Sequence, residues 1–253
     1  MVGRAPAVLS RPRALGLGAL TAALALYTAG AGVLPNLGYD GDVAWLVLVV
    51  IPATMLTIWL ALPLLEARGL LAVALALGVL AVVCWAAELD VLFNLAKLFA
   101  LAFAGFWFLT IFEAVSWAVL VAVLVPWVDA ISVWRGPTNY VVEQQPQLFQ
   151  GVAIAFRVPG EENAAHLGPP DIIFFALFLA AAHRFGLRVG ATWVAMTTLL
   201  CATLVLTAYT DVAGLPALPA ICVGFLLPNV DLLWRQLRPG ARRPAEQEAE
   251  EGT

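Results

Sequence analysis

Long apolar runs separated by short polar stretches dominate the pattern along this chain. Each run carries at most one charged residue, and most are close to the about 20 residues that a helix needs to cross a bilayer. We therefore predict about eight transmembrane helices. They occupy residues 14–34, 43–65, 69–87, 91–112, 114–134, 171–182, 189–210 and 212–230. The first run could instead be a signal peptide, because arginines precede it and small residues end it.

The composition agrees with a surface that faces lipid. Hydrophobic residues make up 62% of the chain and charged residues 12%, whereas an average soluble domain has about 25% charged residues. So little charge excludes a soluble enzyme, a nucleic-acid-binding protein and a disordered regulator. The predicted fold class is an all-α polytopic membrane protein with the lipid bilayer as a partner. No His or Cys cluster has a metal-binding spacing, so we predict no metal and no cofactor.

The basic residues predict the sidedness of the helices, because cytoplasmic loops are enriched in Lys and Arg. With eight helices, ten of the thirteen basic residues fall on one side: Arg4, Arg11, Arg13, Arg68, Arg184, Arg188, Arg235, Arg238, Arg242 and Arg243. Both termini are therefore predicted to be cytoplasmic. The loop 135–170, which contains Arg135 and Arg157, then lies outside. Lys97 lies inside a predicted helix, and we expect it to anchor that helix at the interface.

The chain divides into three regions by hydropathy and charge. Residues 1–113 contain the first four predicted helices. Residues 114–238 contain the last four, together with the polar loop 135–170. Residues 239–253 form an acidic tail, which we expect to be disordered because it has few apolar residues to bury.

Asp129 and Asp171 lie within predicted helices, where a carboxylate is costly and often functional. Asp129 lies sixteen residues beyond Glu113, about 24 Å along a helix, and Asp171 lies thirteen residues before Arg184, about 20 Å along. We therefore expect both carboxyl groups at nearly one depth, where they can pair. Two adjacent carboxyls share one proton, which suits acid–base activation of water. Two structural alternatives are open: Asp171 as a helix cap, and Asp129 satisfied by a serine or a water.

Three motifs in the second half resemble those of the presenilin and signal peptide peptidase family of intramembrane aspartyl proteases. Pro216-Ala217-Leu218-Pro219 resembles the proline-alanine-leucine signature of that family. Gly168-Pro-Pro-Asp171 is similar to its Gly-x-Gly-Asp motif, and Val128-Asp129 is similar to its Tyr-Asp motif. The order of the motifs also agrees, and the resemblance covers about Trp117 to Trp234.

The resemblance implies an aspartic endopeptidase that cleaves a transmembrane peptide or a signal peptide within the membrane, in a prokaryotic cell. It implies a catalytic pair, Asp129 and Asp171, and substrate-binding residues Gly168, Pro216, Ala217, Leu218 and Pro219. The chain departs from the family pattern at Val128, which replaces tyrosine, and at Pro170, which replaces glycine. Eight helices are also one fewer than usual. The alternatives are a catalytically silent relative, a scaffold, and a transport or leak protein whose paired acids mark an ion path.

The polar loop contains one segment with a strand pattern. Apolar residues alternate along residues 151–158, which predicts a β-strand. One hypothesis is that this strand pairs with an unwound substrate and supplies replacement hydrogen bonds. The alternative is a strand that only closes the loop. By similarity to signal peptide peptidase, a loop outside the cell implies substrates whose amino end is cytoplasmic.

Overall fold

The computed structural model describes residues 9–135, 151–210 and 216–238, with the backbone alone for residues 132–135. Helices make up most of the described residues, and every predicted apolar run contains one. The helices are α1 (Arg11–Gly30), α2 (Tyr39–Trp45), α3 (Ile51–Ala61), α4 (Leu70–Ala86), α5 (Asp90–Leu109), α6 (Val115–Arg135), α7 (Pro169–Arg184), α8 (Val189–Tyr209), α9 (Leu218–Leu226) and α10 (Val230–Leu237). The predicted acidic tail and part of the loop 135–170 lie outside the described residues.

Several of these helices are suited to a bilayer. Within the described residues, five helical segments are long and apolar enough to cross a membrane: Arg11–Val33, Tyr39–Glu66, Asp90–Leu109, Val189–Tyr209 and Leu218–Leu237. Leu70–Ala86 and Val115–Ile131 are shorter apolar helices. The protein is therefore a predominantly α-helical, membrane-embedded protein.

Helix α7 lies at the centre of the molecule. It contacts α5, α6, α8 and α9, and from Phe175 to Ala182 every side chain is fully buried. A helix that is apolar on all sides requires neighbours on all sides. Other helices surround α7, and its 16 residues are fewer than a lipid-exposed spanning helix needs.

Two glycines allow the helices around this centre to approach closely. A Cβ atom on Gly105 in α5 would lie 2.4 Å from the carbonyl oxygen of Ile173 in α7. A Cβ atom on Gly224 in α9 would lie 2.5 Å from Cα of Met196 in α8. Both distances are too short for any side chain, so glycine is required where α7 meets α5 and where α9 meets α8.

A buried amide joins the helices at the opposite end of α9. The side chain of Asn229 is fully buried and donates to Thr192 Oγ1 at 2.7 Å and to the carbonyl oxygen of Phe225 at 2.8 Å. Its Oδ1 accepts from the backbone N–H of Arg188 at 2.9 Å. Arg188 also forms a two-pronged ion pair with Asp231. These bonds connect the start of α8 to the junction between α9 and α10, and so limit how α9 can slide.

The loop 135–170 contains an antiparallel hairpin that is attached to the helices. The strands β1 (Ile154–Arg157) and β2 (Ala164–Leu167) pair with Ile154 opposite Leu167, which confirms the predicted strand. On the other edge of β1, the Asn94 amide exchanges two hydrogen bonds with the backbone of Ala155, at 2.8 and 2.9 Å. Lys97 Nζ donates to the carbonyl oxygens of Gly151 and Ala153, at 3.1 and 2.6 Å. The Lys97 ammonium therefore binds the hairpin segment, and its role as an anchor at the membrane interface stays a prediction.

We predict that Gly105→Ala lowers the free energy of unfolding by about 1–3 kcal/mol, because the added methyl group must push α7 away from α5. The measurement is the denaturation midpoint in detergent. Gly18→Ala in α1 is the matched control, since nothing lies within 4 Å of a Cβ atom there. Alanine is also the better helix former, so the control should be neutral or slightly stabilising. Equal behaviour of the two variants would contradict close packing at Gly105.

We predict that Asn94→Leu loosens the hairpin, because the backbone N–H and carbonyl oxygen of Ala155 both lose their hydrogen-bond partner. Each unpaired group should lower the stability of the hairpin by about 1–3 kcal/mol. Backbone hydrogen exchange in residues 154–167 should accelerate while exchange in α7 stays slow. Tyr27→Phe is the milder control, because it removes only the hydroxyl donated to the carbonyl oxygen of Arg157. Unchanged exchange in Asn94→Leu would rule out this anchoring role.

Candidate active site

Three helices that are distant in sequence meet at the candidate site. Helices α6, α7 and α9 contact one another pairwise. Each contributes one of the three motifs: Asp129 near the end of α6, Asp171 in the first turn of α7, and Leu218 at the start of α9. The packing of the buried helix α7 therefore brings together residues that are up to 89 positions apart.

Asp129 is half-buried and caps a helix that is not its own. Its Oδ2 accepts a hydrogen bond of 3.2 Å from the backbone N–H of Leu218. The first N–H groups of a helix have no partner within it, and Pro219 lacks a backbone donor altogether. A carboxylate at this position therefore accepts a hydrogen bond from a backbone N–H at the start of α9 and lies at the positive end of the helix dipole. The Oδ2 atom of Asp129 is therefore bonded to backbone and not to a serine.

Asp171 is also half-buried, and it caps its own helix. Its Oδ2 accepts from the backbone N–H of Gly168 at 3.1 Å, and its own N–H donates to the carbonyl oxygen of Gly168 at 3.1 Å. Pro169 and Pro170 occupy the first turn of α7, where a missing donor costs nothing and a fixed φ favours the helix. The capping alternative for Asp171 is thus present in the structure, and it orients the carboxylate.

Gly168 is required by close approach and not by its backbone dihedral angles. Its φ of -65° and ψ of 150° are open to any residue. A Cβ atom at this position would, however, lie 3.2 Å from Oδ2 of Asp171. A side chain here would therefore crowd the carboxylate against the hydrogen bond that holds it.

The electrostatics of the site combine repulsion with helix dipoles. The two carboxylates lie close enough for their charges to repel each other, although no hydrogen bond joins them directly among the described residues. The positive ends of α7 and α9 both point at the site and stabilise negative charge there. A proton on either carboxyl would remove the repulsion, and one ionised and one protonated carboxyl are the groups that acid–base activation of water uses.

The structure brings most of the predicted site residues together. Hydrogen bonds join Asp129 to Leu218 and Asp171 to Gly168, and Leu218 is buried. The half-buried residues of the proline motif adjoin it: Pro216, Ala217 and Pro219. The departure at Val128 faces away from the site, because its side chain is 67% exposed. The departure at Pro170 lies in the first turn of α7, where proline fits.

Sequence reasoning missed the residues that hold the site from outside. The hairpin strand β2 ends at Leu167, directly before Gly168, so the anchors of the hairpin at Asn94 and Lys97 also position Asp171. These two polar residues lie three positions apart on one face of an otherwise apolar helix. That spacing could have indicated a polar contact on one face of α5. Cys222 is buried one turn into α9 and interacts electrostatically with Asp129. Nothing in the sequence distinguished Cys222 from the other cysteines in apolar runs.

The structure favours the loop-closing alternative for β1. One edge of the strand pairs with β2. The other edge is occupied by the side chains of Asn94, Lys97 and Tyr27. Both edges of β1 are therefore used within the chain, and a substrate strand would first have to displace those side chains.

Within the described residues, no group of three or more His, Cys, Asp or Glu side chains is placed to hold a metal ion. No family model, curated protein or solved structure matches this chain.

Proposed function

We propose that this protein is an intramembrane aspartic endopeptidase in which Asp129 and Asp171 form the catalytic pair. The observation that supports the proposal is the hydrogen bond from the Leu218 N–H to Asp129, beside the helix start that carries Asp171. It joins two of the three motifs that resemble those of one protease family, and the third motif, with Asp171, begins the adjacent helix α7. Both acids lie at one junction of α6, α7 and α9, which is the arrangement that a catalytic pair requires.

The proposed reaction uses the two carboxyl groups as base and acid. The ionised carboxylate removes a proton from a water molecule as the water oxygen attacks the substrate carbonyl carbon. The protonated carboxyl donates its hydrogen to the carbonyl oxygen, which becomes a hydroxyl of the tetrahedral intermediate. As the C–N bond breaks, the carboxyl that took the water proton gives it to the leaving amine. One hydroxyl of the intermediate returns its proton to the other carboxylate, so the pair again holds one proton. The backbone N–H groups of Leu218 and Gly168 orient the two carboxylates throughout.

We further propose that the chain crosses the membrane eight times, with both termini in the cytoplasm. The distribution of arginines supports this orientation. The loop 135–170 then lies outside, and the site opens toward that side. By resemblance, the substrates are transmembrane segments or remnant signal peptides whose amino end is cytoplasmic.

We predict that Asp129→Asn and Asp171→Asn each lower the cleavage rate of a transmembrane peptide at least about a hundredfold. Asparagine keeps the size of the side chain but cannot exchange the required proton. The measurement is the appearance of peptide fragments, identified by mass spectrometry, with full-length protein purified in detergent. Asp231→Asn is the matched control, because that exposed carboxylate pairs with Arg188 outside the site, and its rate should be near wild type.

The same experiment separates the proposal from its alternatives. A transport or leak protein would give ion flux in liposomes without cleavage, and flux should then depend on Asp129 and Asp171. A catalytically silent relative or a scaffold would give neither. Cleavage that persists in both variants would overturn the catalytic pair.

We predict that a cysteine replacing the exposed Glu162 is labelled by a membrane-impermeant maleimide in intact cells, because the hairpin lies outside. A cysteine replacing the exposed Arg68 should be labelled only after the membrane is permeabilised. The native cysteines lie in apolar helices and are buried or half-buried, which keeps the background low. The reverse labelling pattern would contradict the proposed orientation.

A further inference from the structure

A polar cavity lies between the hairpin and the first turns of α5. Its volume is about 470 Å³. Four charged side chains line it: the cations Lys97 and Arg157, and the carboxylates Asp90 and Glu162. Arg157 and Asp90 form a long ion pair of 3.6 Å. Burial, together with the charge of Lys97, lowers the pKa of His166 in the same wall. Besides this histidine, two cationic and two anionic side chains line the cavity.

An apolar groove of about 600 Å³ continues from this cavity along α4 and α5. Its walls include Gly78 and Trp85 on α4, and Phe93 and Leu101 on α5. From Phe93 to Leu101 the groove follows eight residues of helix, about 12 Å. One leaflet of a bilayer has a hydrocarbon depth of about 15 Å, half of the about 30 Å core. The length of the groove along α5 is therefore close to the hydrocarbon depth of one leaflet.

Lys97 and Phe93 line both the polar cavity and the apolar groove, so the two form one continuous amphipathic site. The Lys97 ammonium lies at their junction, 4.1 Å from the centre of the Phe93 ring. Among the described residues it donates to two carbonyl oxygens and forms no ion pair with a carboxylate. Within the described part of the chain, its charge is therefore not paired with a carboxylate at ion-pair distance.

We propose that this site binds one zwitterionic phospholipid, with its phosphate at Lys97 and Arg157, its amine toward Asp90 and Glu162, and an acyl chain in the groove. The balanced charges of the cavity match a head group that carries one charge of each sign. The Lys97 ammonium, which forms no ion pair with a carboxylate among the described residues, attracts the phosphate. The length of the groove suits the acyl chain of a lipid in one leaflet. This proposal does not depend on the protease activity. The groove also reaches Pro169, so the bound lipid would lie beside the helix that carries Asp171.

The test is a lipid titration of the delipidated full-length protein in detergent, followed by native mass spectrometry. We expect one phosphatidylethanolamine to bind at least tenfold more tightly than a diacylglycerol with the same chains, because only the former carries phosphate and amine. It should also bind more tightly than phosphatidylglycerol, which lacks the amine. Equal binding of the diacylglycerol would overturn the head-group site. Equal or tighter binding of phosphatidylglycerol would overturn the role of the carboxylates.

Two variants test the two halves of the site. Lys97→Gln should weaken phosphatidylethanolamine binding at least tenfold. Gly78→Leu should weaken it similarly, because its side chain enters the groove at a position where no atom lies within 4 Å of a Cβ atom. Gly18→Leu is the control, with equal free space on α1, and should bind as wild type. If Lys97→Gln fails to fold, the comparison of the three lipids and the Gly78→Leu variant still test whether the site binds a phospholipid. Wild-type binding by Gly78→Leu, or displacement of the lipid by a transmembrane peptide, would overturn the lipid assignment.

Discussion

A carboxylate among apolar helices must be met by N–H donors, and this requirement governs the arrangement around Asp129 and Asp171. In each case the donor is a backbone group at the start of a helix: Leu218 for one acid and Gly168 for the other. Such groups are free because a helix leaves its first donors unpaired. The breaks before α7 and α9 thus provide the donors that let two acids persist at this depth.

The buried core determines where those helix starts lie. Because α7 is enclosed on every side, Asp171 cannot move without repacking α5, α6, α8 and α9 together. Gly105 and Gly224 permit the short distances that this enclosure requires. Asn229 fixes the far end of α9 through three hydrogen bonds, so that Leu218 stays within reach of Asp129.

Polar residues on the face of α5 extend this control to the hairpin. Asn94 and Lys97 hold the backbone of residues 151–155, and the hairpin leads directly into Gly168. The same Lys97 lies between a charged cavity and an apolar groove. A side chain that would be costly in lipid is therefore used to join the hairpin, the candidate site and the proposed lipid.

The sequence alone determined the helical, membrane-embedded class, the positions of the apolar helices and the strand near residue 155. Hydropathy, helical rise and side-chain alternation are properties of neighbouring residues, so they can be read along the chain. The tertiary structure alone decided that Leu218 meets Asp129, that Lys97 turns to the hairpin, and that both edges of β1 are used. Those partners lie 89, 54 to 56, and 61 or more residues apart, and only the packing of the helices brings their hydrogen-bonding groups within reach.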